Sequence, residues 1–414
     1  PFSALPSFSF DRFYPLLIIL FFLAKYHYKI IFDLCYTREG LKIFQEVIMQ
    51  TIRRTLTDIS LAYPLESEAP LSDILFIDIE TTGFAAKSAS LYLIGCAYYE
   101  NELWHSIQWF ADGPAQEAAL IEAFFEFAAP YTHLIHFNGN QFDLPFISQK
   151  CSQLSLSYDF SAFTGIDLYK RIFPFRHFLK LPNCKQKTLE RFLGIFREDP
   201  YDGGQLISIY RDYLQSPTAT ALDAILKHNE EDLIGMFHVL PVLAFGDIFS
   251  DRTKVKKVQA NYYHALDGSR HQELYMKLSL PAALPKEVSY HANGCYFIGE
   301  GKTGAIKVPL YEEELKYFYA NYRDYYYLPL EDTAIHKSIA SFVDKTHRVQ
   351  AKAQTCYTRK RSSYLPEWEP LFEPFFRRDY KSQELFFEIT DEFKKDRQAF
   401  QRYALHVLKM LSEN

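Results

Sequence analysis

The amino-acid sequence predicts an α/β fold, with a mixed β-sheet and flanking helices, joined to a C-terminal α+β region. Segments 74–80, 91–99 and 103–110 are apolar strands linked by short turns, which is typical of an antiparallel meander. A helix at 116–129 leads to a strand at 134–137, and such a crossover favours parallel pairing with an earlier strand. Further helices are predicted near 142–154, 186–195 and 219–240.

Composition places the chain among globular proteins rather than disordered or fibrous ones. Its 414 residues are enough for two or three domains, and 48% of them are apolar while 23% are charged. The six cysteines are widely spread without a Cys-x-x-Cys pair, which argues against a zinc ribbon and against a disulfide framework. This use of cysteine favours a reducing compartment, so we expect a cytoplasmic protein, and we expect no organic cofactor.

The first 48 residues differ from the rest of the chain. Residues 13–24 form an apolar run that Lys25 ends, well short of the roughly 20 residues that a membrane-spanning helix needs. No small-residue cleavage site follows this run, and Met49 is the first methionine of the chain. We expect residues 1–48 to be a non-native upstream extension and residues 49–70 to lead into the first domain, with no stable membrane association. A membrane anchor is the alternative.

Two carboxylates end a buried strand. Asp78 and Glu80 follow the apolar residues that begin at Ile74, and Thr-Thr-Gly closes the run. Because side chains on a strand alternate, residues two apart point to the same side, so both carboxylates leave the strand together. Like charges this close cannot both stay ionised unless a cation neutralises them. Mg²⁺ or Mn²⁺ is therefore the expected partner, with a chance Asp-x-Glu at a strand end as the simpler alternative.

Further polar residues follow in chain order. The pair Asn138-Gly139 marks a tight turn, and Asp143 comes where a helix could begin. By itself, Asp143 is typical of an ordinary acid at a helix N-terminus. His228 and Asp232 are four residues apart on a predicted helix and hence neighbours on one face, a pair that is usually surface decoration.

Together these segments resemble the DEDD superfamily of 3′–5′ exonucleases, which have the ribonuclease-H-like fold, and most closely the bacterial YprB-like ribonuclease-H-like domain. The resemblance covers roughly residues 71–246 and implies an exonuclease domain at 71–248. The motif Asp-x-Glu-Thr-x-Gly matches residues 78–83, Asn-Gly-x-x-Phe-Asp matches 138–143, and an aromatic residue or His followed by Asn-x-x-Asp matches 228–232. Asp-Leu-Tyr at 167–169 and the Lys-Thr-Leu-Glu segment that begins at 187 also agree.

The resemblance implies a role for each residue of the site. Asp78, Glu80, Asp143 and Asp232 would hold two divalent cations, Mg²⁺ or Mn²⁺, and the reaction would be phosphodiester hydrolysis. Relatives place a His five residues, or a Tyr four residues, before the final Asp, whereas His228 is a His at a spacing of four. We expect His228 to act as the general base, and a purely orienting role stays open. The residues expected to contact nucleic acid here are Thr81, Asn138 and Lys187.

The C-terminal region, residues 251–414, carries no visible catalytic motif. It holds 26 Lys and Arg against 22 Asp and Glu, whereas residues 1–250 hold 19 against 29. A mildly basic half beside an acidic half suggests that the second half helps to hold a polyanion, with Arg359, Lys360 and Arg361 as phosphate contacts. Part of the same basic stretch, residues 335–353, is equally typical of an amphipathic helix with a solvated basic face. We expect β-hairpins at 288–310 and helices at 311–322 and 391–411.

Two classes of function remain open. The first is an active metal-dependent 3′–5′ exonuclease that acts on DNA or RNA. The second is a nucleic-acid-binding protein whose nuclease fold no longer cuts and serves to recruit other factors. The sequence favours the enzyme, because all four expected ligands and the His are present, and a decayed site would be expected to lose at least one.

Overall fold

The computed structural model describes residues 49–57, 59–198, 200–264 and 267–413. The expected upstream extension, residues 1–48, lies outside the described residues. In the described part of the chain, no helix combines the length and the apolar character needed to cross a membrane.

The first sheet is mixed and has six strands. They are β1 (Gln50–Leu56), β2 (Ile74–Thr81), β3 (Leu91–Glu100), β4 (Leu103–Phe110), β5 (His133–His136) and β6 (Thr164–Asp167). Their order is β1-β4-β3-β2-β5-β6. The first four strands pair antiparallel, and β5 and β6 extend the sheet in parallel with β2, so the predicted mixed sheet is confirmed. The sequence analysis did not identify β1, which pairs with β4 from within the segment expected only to lead into the domain.

β2 is buried because helices cover both faces of the sheet. Phe76 packs in one hydrophobic cluster with Phe237, while Ile77 packs in another with Phe124. This alternation accounts for the continuous apolar run in the sequence. A register shift between Glu80 and Thr81 ends the regular pairing of β2 with β3, just where the polar side chains begin.

The helices surround this sheet and extend into the C-terminal region. The predicted helices near 116–129, 142–154, 186–195 and 219–240 are confirmed with small changes at their ends, and a helix at Gly203–Gln215 was not predicted. The α-helices are α1 (Glu117–Ala128), α2 (Asp143–Leu154), α3 (Leu168–Ile172), α4 (Gln186–Phe192), α5 (Gly203–Gln215), α6 (Ala219–Val239), α7 (Leu243–Asp247), α8 (Lys337–Ala340), α9 (Asp391–Lys395) and α10 (Arg397–Glu413). Short 3-10 turns lie at Leu65–Ser67, Leu71–Asp73, Pro114–Gln116, Phe173–Phe175, Leu240–Val242, Tyr322–Asp324 and Lys345–His347.

Two further sheets form the C-terminal region. The larger one has the strands β7 (Lys254–His264), β8 (Arg270–Ala292), β9 (Cys295–Phe318), β13 (Tyr357–Glu367), β14 (Phe375–Phe376) and β15 (Leu385–Glu388). Their order is β14-β15-β13-β9-β8-β7. The smaller sheet has β10 (Tyr325–Leu328), β11 (Thr333–His336) and β12 (Val349–Gln350) in the order β11-β10-β12. The hairpin expected at 288–310 is confirmed, and its turn, Asn293-Gly294, has positive φ at both residues.

The helix expected at 311–322 is wrong, and the amphipathic helix that was one alternative for 335–353 is not found. Residues 311–318 continue β9 instead of forming a helix, because they pair with β13 from Tyr311 to Phe318. Residues 335–353 contain the end of β11, the four-residue α8, a 3-10 turn and β12 instead of one amphipathic helix. In both places, tertiary strand pairing overrides a local pattern that favours helix. The helical prediction for 391–411 is confirmed as α9 and α10.

One hydrophobic cluster joins the first sheet to the C-terminal sheet. It contains Phe245 of α7, Met276 of β8 and Tyr403 of α10. A hydrogen bond also holds the segment between the two regions: Nε2 of Gln401, in α10, donates to the carbonyl of Thr253 at 2.7 Å. The two regions therefore share a buried core, while the exact limits of the domains stay a prediction.

Candidate active site

Four carboxylates from three elements lie together at the end of β2, and they are called the acidic site below. β2 supplies Asp78 and Glu80, α2 begins with Asp143, and α6 supplies Asp232. Burial, and then repulsion from Asp232, Glu80 and Asp143, holds the pKa of Asp78 well above its ordinary value. The structure thus brings together the four residues that the sequence analysis expected to share a site.

Asp143 is the acid that helix α2 carries into the site. Only 6% of the residue is exposed, and burial raises the pKa of its carboxyl to about 7. Hydrogen bonds from the backbone of Asp143 and Ile79 partly oppose this effect, while Asp167 and Asp232 add to it. The free protein therefore pays an electrostatic cost to keep this carboxylate ionised near neutral pH.

His228 lies between two of the carboxylates. Its Nε2 is 3.4 Å from Oδ2 of Asp232, one helical turn along α6, and 3.8 Å from Oε1 of Glu80. Ligand atoms of these three residues all lie within 4.8 Å of one another, a group that could hold a metal ion. Carboxylate and imidazole donors suit a divalent metal, so the donor set fits the cations expected from the sequence. The position is compatible with a base, a ligand or an orienting group.

Asn229 anchors Asp78, a role that the sequence analysis missed although the residue belongs to a matched motif. Its Nδ2 donates to Oδ2 of Asp78 at 2.8 Å, and its Oδ1 accepts from Nε2 of Gln108 at 2.8 Å. Gly95, opposite Asp78 on β3, makes room for it, since a Cβ there would lie 1.9 Å from the Asn229 Oδ1. The fully buried amide therefore fixes the orientation of the first carboxylate.

Arg197 contacts the last carboxylate, and no motif in the sequence pointed to it. Its Nη1 forms an ion pair with Oδ1 of Asp232. The remaining donors bind both oxygens of Glu190, with Nε at 2.6 Å and Nη2 at 2.8 Å. Gly235 permits this approach to α6, because a Cβ at that position would lie 2.1 Å from Glu190 Oε1. One side of Asp232 is thus held by a fixed cation.

Asp167 and His136 hold the turn that leads to Asp143. The Asp167 carboxylate accepts hydrogen bonds from the backbone amides of Asn138 at 3.1 Å and Asn140 at 3.2 Å. Nδ1 of the fully buried His136 accepts from the amide of Gly139 at 3.1 Å. Asp167 lies in one of the matched segments, but its role was not predicted from the sequence. Together these groups satisfy the backbone of a turn that would otherwise be poorly paired.

The other residues expected to bind nucleic acid near this site make contacts within the protein. Thr81 is buried, and its hydroxyl donates to the carbonyl of Gly83 at 2.9 Å. Lys187 Nζ donates to the carbonyl of Tyr201 at 2.8 Å. Asn138 occupies the turn with a φ of 63°. Nucleic-acid contact by Thr81, Asn138 and Lys187 stays a prediction.

The basic residues of β13 are apart from this cluster in the fold, in the C-terminal sheet. Arg359 Nη1 lies 3.1 Å from Oε1 of Glu314, and Lys360 Nζ lies 2.6 Å from Oε2 of Glu388. Arg361 is exposed on the same strand. Two of the three expected phosphate contacts are therefore already paired with carboxylates, and their role in binding stays a prediction.

Phe84 is an exposed aromatic residue close to the acidic site in sequence and in space. Its side chain is 92% exposed in the loop that follows β2, and its ring centroid lies 6.0 Å from that of Phe142, next to Asp143. The sequence analysis did not identify it. An exposed ring of this size is a candidate surface for an unpaired base.

Comparison with known families agrees with the fold. Residues 75–244 match the family model described as RNase_H superfamily. This range includes all four carboxylates and His228, and it confirms the ribonuclease-H-like fold class predicted for the first region. The chain matches none of the curated protein sequences.

Solved structures with some similarity include nucleic-acid enzymes. The family B DNA polymerase of Pyrobaculum calidifontis is 9% identical with a TM-score of 0.33, over 61% of this chain and 35% of the polymerase. Escherichia coli exonuclease I in its zinc-bound complex with single-stranded DNA is 13% identical with a TM-score of 0.26, over 82% of this chain and 71% of that one. Its complex with a dT13 oligonucleotide is 13% identical with a TM-score of 0.25, over 50% and 54%. These similarities are too low to support an inference about activity.

Proposed function

We propose that the protein is a metal-dependent nuclease that hydrolyses phosphodiester bonds, acting as a 3′–5′ exonuclease. The observation that supports this proposal is the convergence of Asp78, Glu80, Asp143 and Asp232, with His228 between two of them. Such a cluster is unfavourable in a free protein, because burial and mutual repulsion oppose ionisation. Divalent cations would remove this cost, so the arrangement is suited to hold them.

The four carboxylates would hold two divalent cations, Mg²⁺ or Mn²⁺, with His228 as a further possible ligand. Bound cations would supply stabilisation of the negative charge that develops on the phosphodiester. Asn229 would keep the Asp78 carboxylate aimed at the site, and Arg197 would do the same for Asp232. The protein thus contributes fixed charges that need no rearrangement during the reaction.

His228 and Phe84 would act on the water and on the substrate. His228 would accept a proton from the attacking water, since imidazole is a competent base near neutral pH. Phe84 would stack on the terminal base and favour an unpaired end, because its ring is almost fully exposed beside the site. We further propose that the partner is DNA or RNA, that the protein is cytoplasmic, and that it is related to the bacterial YprB-like ribonuclease-H-like domain.

The decisive experiment compares hydrolysis of single and double strands labelled at the 3′ or 5′ end, with Mg²⁺, Mn²⁺ or chelator. We expect metal-dependent release of mononucleotides from the 3′ end. Asp78→Asn should reduce the rate by about 10³-fold or more, because it removes a ligand charge without removing volume. Asp251→Asn is the matched control, since Asp251 is exposed outside the site. Activity that persists in chelator, or in Asp78→Asn, would contradict the proposal.

A second candidate is a protein that binds nucleic acid without cutting it. The ion pair between Arg197 and Asp232 favours this candidate, because a fixed cation already neutralises part of one carboxylate. Tight, metal-independent binding without hydrolysis of any labelled strand would identify it. If instead Arg197→Gln raises the affinity for Mn²⁺ without abolishing hydrolysis, the arginine only tunes an active site.

A further inference from the structure

A small pocket opens on the C-terminal sheet, and none of its lining residues belongs to the acidic site. Its volume is about 160 Å³. We call it the aromatic pocket, because four aromatic rings and one guanidinium line it: Phe318, Tyr319, Phe375, Tyr380 and Arg377. Tyr380 is 41% exposed, and its ring centroid lies 5.5 Å from that of Phe318.

Strand pairing places two cations on the same face as these rings. The backbone amides of Lys316 and Arg377 each donate to the carbonyl of the other at 2.9 Å, so the two residues are directly opposite. Directly opposed residues share a face of a sheet, as do residues two apart on one strand. Phe318, two residues from Lys316 on β9, therefore shares this face with Lys316 and Arg377, and Phe375 lines the same pocket as Phe318 and Arg377.

The two neighbouring arginines at this place differ in their partners. Arg378 is bound by Glu313, at 2.9 Å from Nη2, and also by Glu384. Nε of Arg377, in contrast, is buried without a hydrogen-bond partner among the residues that the structure describes. The Arg377 guanidinium carbon lies 5.5 Å from the ring centroid of Phe375. A buried N–H without a partner is unfavourable, so a ligand that accepts a hydrogen bond there would remove a cost.

We propose that the aromatic pocket binds one unpaired nucleotide of a single-stranded nucleic acid. The base would lie among the rings of Phe318, Phe375 and Tyr380, since aromatic side chains stack on bases of any sequence. Arg377 and Lys316 would contact the adjoining phosphate, the planar guanidinium being well matched to phosphate oxygens. The choice of polymer rests on the proposed function, but the site itself is separate from the acidic site and cleaves nothing.

The test measures binding of the full chain to a fluorescent single strand of about ten thymidines, in chelator, by fluorescence anisotropy. Tyr380→Ala should weaken the affinity about five-fold or more through lost stacking. Arg377→Gln should weaken it by a similar factor and reduce the slope of log affinity against log salt by about 0.7, the value for one phosphate of a single strand. Arg378→Gln is the matched control: it removes the same charge from a paired arginine and should leave the affinity nearly unchanged. Thermal unfolding of each variant checks its fold, and Arg377→Lys should restore the salt slope.

Several outcomes would overturn the pocket as a nucleotide site. They are absence of binding by the unmodified chain, unchanged affinity in both Arg377→Gln and Tyr380→Ala, an equal loss in Arg378→Gln, and preference for a duplex of equal length. Failure of the proposed nuclease function would be seen separately, as absence of metal-dependent hydrolysis. Cleavage of a dinucleotide, which engages only the acidic site, should be the same in Arg377→Gln as in the unmodified chain.

Discussion

The acidic site and strand β13 each hold several charges of one sign. At the acidic site these charges face one another, whereas on β13 two of them are paired with charges of opposite sign. At the acidic site, burial and neighbouring carboxylates raise the pKa of Asp78. On β13, Arg359 and Lys360 form salt bridges with Glu314 and Glu388. Unneutralised buried charge destabilises a folded chain, whereas exposed salt bridges are close to neutral in free energy.

The difference shows where function is to be sought in this molecule. A folded protein keeps an unfavourable cluster where the cluster serves a purpose other than stability. Charges that are paired across neighbouring strands need no such explanation. Abundance of charge in the sequence is therefore a weaker guide to function than charge that the fold leaves uncompensated, as at Asp78.

Among the substitutions that test this comparison, the largest change in hydrolysis rate is expected at His228. If His228 is the general base, His228→Ala should lower the hydrolysis rate about 10²–10⁴-fold while metal binding is kept. His228→Tyr should retain more activity, because related enzymes with a Tyr use the same spacing of four residues to the final Asp. The measurement is single-turnover hydrolysis against pH. A near-normal rate with an unchanged pH profile in His228→Ala would assign the residue a structural role.

Gly95 tests whether the geometry of the acidic site depends on one buried contact. In Gly95→Ala the new Cβ would collide with Asn229, so we expect a loss of about 1–3 kcal/mol in the free energy of unfolding. Displacement of Asp78 should also lower the rate by about 10²-fold. Gly113→Ala is the matched control, since a Cβ at Gly113 meets nothing within 4 Å and its φ of 176° is open to any residue. Equal behaviour of both variants in denaturant titration and hydrolysis would show that Asn229 does not position Asp78.

The pH dependence of stability should include a contribution from one buried carboxyl in each region. Burial raises the pKa of Asp143 to about 7, and burial also raises the pKa of Glu367 on β13 to about 7. A carboxyl with a pKa that is higher in the folded chain adds stability below its ordinary pKa and loses that contribution as pH rises to the folded value. The free energy of unfolding in chelator should therefore fall between about pH 4 and pH 7.

Divalent cations should reverse only the part of this loss that belongs to the acidic site. Mg²⁺ that binds the folded chain stabilises it by mass action, so the loss due to Asp143 should be recovered. Asp143→Asn should remove the recoverable part, and Glu367→Gln should remove a part that Mg²⁺ does not affect. Urea titrations across this pH range measure both. Equal recovery in the presence of Mg²⁺ for Asp143→Asn and the unmodified chain would contradict the assignment of Asp143 as a ligand.

The smallest effect is expected from the basic residues of β13. Charge reversal of Arg359, Lys360 and Arg361 should weaken affinity for single strands alike on every sequence and reduce its salt dependence, because phosphate contacts carry no sequence information. The effect should be modest, since two of these side chains are already paired with carboxylates. The rate at saturating substrate should barely change. An unchanged affinity in anisotropy titrations would show that this strand carries only a solvated, paired face.

Much of the first region could be predicted because its signals are local. The apolar run of β2, the turn at Asn138-Gly139 and the helical spacing of His228 and Asp232 each lie within a short stretch of chain. The C-terminal region was predicted less well. A helix was predicted at 311–322, but residues 311–318 belong to a strand whose partner, β13, is remote in sequence. Local periodicity carries no information about such a partner.

From the sequence, through its resemblance to the DEDD superfamily, we could predict which four acids would lie together and the order of the elements that carry them. The contacts that hold two of these acids could be seen only in the folded chain: Asn229 meets Asp78 across the space left by Gly95, and Arg197 forms an ion pair with one oxygen of Asp232. The tertiary structure also decided that Arg359 is paired while Nε of Arg377 is left without a partner among the described residues. The physical reason is the range of the interactions. Strand alternation and helical spacing act within a few residues, whereas steric fit and charge pairing depend on side chains that only folding brings together.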